Sequence, residues 1–82
     1  MLNSKDLRKT PIVLVHWFDA RVNTGWIDPE ELHPVETFTV GYLTFQDKKR
    51  IVIASTVNEL GHVNCAVVIP KPWVKIIKIL KK

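Results

Sequence analysis

The chain has 82 residues, 46% of them hydrophobic and rich in Val and Ile, enough for one domain with a modest core. Its single cysteine, Cys65, excludes an intrachain disulfide framework and points to an intracellular setting. The net charge of +4 is unevenly laid out: residues 10–36 carry Asp19, Asp28, Glu30, Glu31 and Glu36 against Arg21 alone, a net −4, whereas the segments on either side are basic.

Residues 1–10 read as an N-terminal arm of mixed charge, with Lys5, Arg8 and Lys9 against Asp6. The apolar run from Ile12 to Val15 is cut off by His16 and Asp19, and no small-residue cleavage site follows, so neither a signal peptide nor a membrane span is expected. The β-branched content of that run predicts a first strand over about 11–18, because it is too short for a helix before polar residues intervene. Strand period then puts Ile12, Leu14, His16 and Phe18 on one face and Val13, Val15 and Trp17 on the other.

A long excursion follows, to about residue 35. Asn23-Thr24-Gly25 signals a turn, and Asp28-Pro29-Glu30-Glu31-Leu32 predicts a single helical turn. Asp28 would cap it, Pro29 would take its first position, the carboxylates would favour its positive end, and Pro34 would stop it. This acidic, irregular stretch is where variable function could sit.

Residues 37–45 alternate as a second strand, with Phe38, Val40 and Tyr42 on one face and Gly41, Leu43 and Phe45 on the other. Gly41 in its middle predicts a bend or bulge that lets a sheet curl. Residues 46–49 form the hairpin turn, 50–57 the third strand, 58–61 a second turn and 62–69 the fourth strand. Pro70-Lys71-Pro72 breaks the ladder, since two prolines remove two donors. The spacing of residues 73–80 also suits a short amphipathic helix, but Val74 and three isoleucines favour a fifth strand, with 81–82 as a tail.

Five strands with a long first connection, containing one helical turn, and short later ones predict an all-β fold, a small five-stranded SH3-like barrel in a single domain over 1–82. An OB-fold would place a helix between its third and fourth strands, and residues 58–61 are too few for one. The segments Val15-His16-Trp17-Phe18-Asp19-Ala20, Gly25-Trp26, Val40-Gly41-Tyr42-Leu43, Ile53-Ala54 and Ile69-Pro70-Lys71, with Val74, Ile77 and Leu80, resemble in their order short tailed-bacteriophage proteins with an SH3-like or Sm-like small β-barrel. The resemblance spans roughly residues 12–80 and implies phage origin and action in the cytoplasm of the bacterial host. It carries no activity and transfers no functional residues; Pro72 and the lysine-rich tail depart from the pattern.

Catalysis needs a nucleophile beside a base, or paired carboxylates in a cleft, and neither is legible, so no enzymatic activity and no cofactor are expected. Cys65 stands three residues from His62, an odd offset that sends two strand side chains to opposite faces, and it reads as a small core hydrophobe. His16, His33 and His62 lack ligand spacing, so no metal site is expected; His16 reads as a half-buried strand residue and His33 as a loop residue.

Two binding chemistries remain. Lys48, Lys49 and Arg50 in the hairpin, with Trp17, Trp26, Tyr42 and Phe45 as stacking surfaces, would attract nucleic acid or a signalling nucleotide, although charged turns and core aromatics account for the same residues. A protein partner or self-association is the other, since sheet edges of such folds pair readily and Trp26 beside Gly25 would anchor a partner or fold back as a lid. Recognition of Pro-rich peptides is not expected, because the acidic-aromatic first-loop signature of signalling SH3 domains is missing. A protein-binding role is the expectation, with nucleotide binding as the alternative and no membrane association.

Overall fold

The computed structural model describes residues 10–82. The expected arm over 1–10 therefore lies outside the described residues except for Thr10, which is buried. Alternation of apolar and polar residues produces five strands: β1 (Ile12–Asp19), β2 (Val35–Gln46), β3 (Arg50–Val57), β4 (Val63–Pro70) and β5 (Val74–Lys81). Two short 3-10 turns, Pro29–Glu31 and Lys71–Trp73, complete the regular structure. The fold is all-β: one antiparallel sheet in the order β4-β3-β2-β1-β5. The fifth strand is extended, as its β-branched residues predict, and lies beside the first. Its last residue, Lys81, pairs with Ile12, so the strand takes in the first residue of the expected two-residue tail.

The sheet curls at Gly41. Up to that point β2 pairs with β1, Val13 lying opposite Gly41, and from Tyr42 onward it also pairs with β3. A bulge displaces the register between Leu43 and Phe45, three residues beyond the glycine. The curl brings Val13, Val15 and Trp17 of β1 together with Ile51 and Ile53 of β3 and Ile69 of β4, while Leu43, Val67 and Val74 pack around them. Each fully buried aliphatic in that cluster contributes roughly 1.5–3 kcal/mol. The Trp17 indole N–H donates to Thr39 Oγ1 at 2.9 Å, so its buried polar atom is satisfied.

One expectation fails. Cys65 is exposed and is not a core residue. Only Val67 and Ile69 of β4 reach the core, because the β3–β4 hairpin runs past the end of the curled sheet and leaves residues 63–66 in solvent. Cys65 also has φ 53°, in the left-handed region, between the paired residues Asn64 and Ala66.

β4 and β5 are the two edges of the sheet and share no ladder with each other among the described residues.

Candidate binding surface

The last residues of β1, the end of the long loop and the second 3-10 turn meet around an open depression of about 350 Å³. Phe18, Asp19 and Ala20 come from β1 and its exit, Pro34 from the entry to β2, and Pro72 and Trp73 from the turn before β5. The antiparallel registers account for the meeting: Phe18 lies opposite Glu36 on one side, and on the other Trp17 lies opposite Val74, the residue after Trp73. The lining is mostly apolar, with the Asp19 carboxylate at the rim accepting from the Ala20 N–H at 2.8 Å. The volume lies at the small end of ligand pockets, which typically hold about 300–1,000 Å³.

Phe18 continues this depression into a band of rings on the outer face of the sheet. His16 stacks on Phe38 with centroids 4.6 Å apart and planes at 13°, and tilts against Phe18 at 5.5 Å. Lys75 Nζ lies 5.8 Å from the Phe18 centroid, a cation over a ring face. Glu36 Oε1 approaches His16 Nε2 to 2.7 Å, but off the line of an N–H bond, so this buried nitrogen makes no hydrogen bond. Phe38 is 61% exposed and Trp73 41%, leaving contiguous apolar surface where side chains of a folded domain ordinarily find cover.

Ala20 and Pro34 are the two ends of the long loop, so the loop rises from the depression itself. Asp28 caps its 3-10 turn by accepting from the Glu30 N–H at 3.1 Å, with Glu30 and Glu31 in the first turn, as the sequence predicts. Trp26 is fully exposed, at 107% of its reference area, so it does not fold back as a lid.

The basic hairpin is joined to the depression's wall by one backbone bond. The Lys71 N–H donates to the Lys49 carbonyl at 2.8 Å, tying the hairpin to the turn whose next residues, Pro72 and Trp73, wall the depression. Asp47 organises the hairpin by accepting from the Lys49 N–H at 2.8 Å and the Arg50 N–H at 2.9 Å. Those two bonds hold its carboxyl below the ordinary carboxylate range, with the charges of Arg50 and Lys71 adding to the effect. Arg50 also reaches Asp47 Oδ2 at 3.1 Å and lies over the Phe45 ring at 4.9 Å, so its guanidinium is engaged within the protein. Lys48 and Lys49 remain exposed.

The sequence-predicted residues therefore divide. Trp26 is exposed on the loop that leaves the depression, Lys48 and Lys49 lie on the hairpin bonded to the turn that walls it, and Arg50 closes the hairpin; none of the four lines the depression. Trp17 lies in the core at 4% exposure, with no ring face for a ligand, and Tyr42 is a half-buried strand residue opposite Ile12 and Ala54. Phe18, Pro34, Pro72 and Trp73 were not singled out as binding residues by the sequence reasoning. The one local signal was Trp73 following Pro70-Lys71-Pro72, a bulky ring held on a stiff turn. His16, His33 and His62 do not converge, and no group of three or more potential metal-binding side chains occurs among the described residues. No helix among the described residues is long and apolar enough to cross a membrane. Comparison with protein-family models, with curated proteins and with solved structures returned no match.

Proposed function

We propose that this protein is a non-enzymatic binding module whose partner is another protein, engaged at the depression walled by Phe18, Pro34, Pro72 and Trp73. The observation that carries the reading is the full exposure of Trp26 on the loop that rises from that depression. Covering a tryptophan removes about 150–250 Å² from water, worth roughly 4–6 kcal/mol at about 25 cal/mol per Å². A protein surface supplies that cover together with groups for the loop and the hairpin, cationic ones toward Asp28, Glu30 and Glu31 and anionic ones toward Lys48 and Lys49. The resemblance to phage proteins sets this in the cytoplasm of an infected bacterium, with a host protein as the partner, or a second copy where the module assembles as an oligomeric adaptor.

The test is retention of partner protein from host lysate by the wild type, Trp26→Ala and Trp73→Ala forms, at low and high salt. Both substitutions are expected to release a partner that the wild type keeps at either salt concentration. Retention by both variants would remove the depression from the account.

A second reading, a nucleic acid or nucleotide held by the basic hairpin, is favoured by Lys48, Lys49 and Lys71 standing together near Phe45. It predicts the opposite salt behaviour, binding that falls steeply as salt rises.

A further inference from the structure

We propose that β5 is an acceptor edge for one extended segment of a partner protein, a segment in which apolar and acidic residues alternate. This rests on the protein-binding reading and names the partner's chemistry. Among the described residues β5 borders only β1, so its outer side offers backbone donors and acceptors outside that ladder. Natural edges are usually short, bulged or capped by charge. β4 follows that rule, with Cys65 in the left-handed region and Pro70 at its end.

β5 is also displaced in register near both ends of its pairing with β1 and holds three lysines, but among them it carries four large aliphatics in eight residues: Ile76, Ile77, Ile79 and Leu80, all 40–55% exposed. The register sorts them by face. Ile77 and Ile79 lie opposite Val15 and Val13 on the core side, and their exposure is a gap at the margin of the hydrophobic cluster. Ile76, Lys78 and, past a one-residue register shift, Lys81 lie opposite His16, Leu14 and Ile12 on the outer side. A sixth strand would place alternate side chains over Ile77 and Ile79 and the intervening ones beside Lys78 and Lys81. Apolar residues satisfy the first set and carboxylates the second.

Charge selects against the nearest alternatives. Two β5 edges paired together would set lysine against lysine, since β5 holds Lys75, Lys78 and Lys81 and no acidic residue. β4 of a second copy has no carboxylate to offer. Residues 1–9 of the chain carry Lys5, Arg8 and Lys9 against Asp6, a net positive charge.

The probe is an acetylated eight-residue peptide of alternating valine and glutamate, with alternating valine and lysine as the control, titrated into the full chain and followed by amide exchange. The glutamate peptide is expected to slow exchange along β5 and to bind at least tenfold more tightly than the lysine peptide. Lys78→Glu with Lys81→Glu, both exposed positions, is expected to reverse that preference. Equal affinity for the two peptides, protection outside β5, or an unreversed preference in the double variant would overturn the proposal. Loss of the cellular partner in Trp26→Ala, with none in the lysine double variant, would overturn the β5 site while leaving the depression in place.

Discussion

Gly41 lies so close to Ala54 that a β-carbon on it would meet the Ala54 carbonyl oxygen at 2.7 Å and Ile53 Cγ2 at 2.9 Å. Neither atom can move cheaply, since one is strand backbone and the other belongs to a fully packed isoleucine. The missing side chain is what lets the β3 ladder approach β2 this closely beside Val13, as the residues of β1 and β3 meet in the core.

Gly41→Ala is therefore expected to destabilise the domain by about 1–3 kcal/mol, the range for overpacking a filled site, and chemical denaturation measures it directly. An unchanged midpoint would mean that the curl does not depend on this contact.

The inner face makes a second test. Trp17→Phe removes the donor to Thr39 Oγ1 and part of the ring volume, an expected loss of about 1–3 kcal/mol. Trp17→Ala is expected to lose about 3–5 kcal/mol. Thermal melting of the two variants should rank them in that order, and equal losses would assign the effect to the hydrogen bond that both variants lack and not to volume.

Much of this fold is legible in the chain itself. Val13, Val15 and Trp17 alternate with Ile12, Leu14 and His16, and a two-residue period is sufficient to place one set inside. Asp28-Pro29 marks its turn because cap and first position have strict chemical requirements. The depression is not legible in the same way: Phe18, Pro34 and Trp73 come from three distant places, and only the registers of β2 and β5 against β1 bring them together. The exposure of Cys65 and Trp26 is equally hidden, since neither local period nor residue type reports where a hairpin outruns the core or whether a loop packs down.

The hairpin gives a pH prediction. Asp47 has its carboxyl held below the ordinary value of 3.8 by the Lys49 and Arg50 N–H groups, so its folded pKa is lower than its unfolded one. Its stabilisation is fully present above pH 3.8 and is lost as the pH falls through the folded value. Amide exchange at Lys49 and Arg50 should accelerate on acidification below that point, beyond the trend of other exposed amides, and Asp47→Ala should show fast exchange already at neutral pH. Identical exchange in the variant and the wild type would show that the carboxylate does not organise the turn.

The central claim, that the loop and depression receive a protein, is tested most directly by placing a photo-crosslinking residue at position 24, exposed on the loop two residues before an intact Trp26, and irradiating the protein in bacterial cells. The account predicts one discrete protein adduct, identified by mass spectrometry, absent when Trp73→Ala is added and unaffected by nuclease treatment. Adducts to nucleic acid, or the same protein adduct from a crosslinker placed at the distant exposed Ser55, would contradict it.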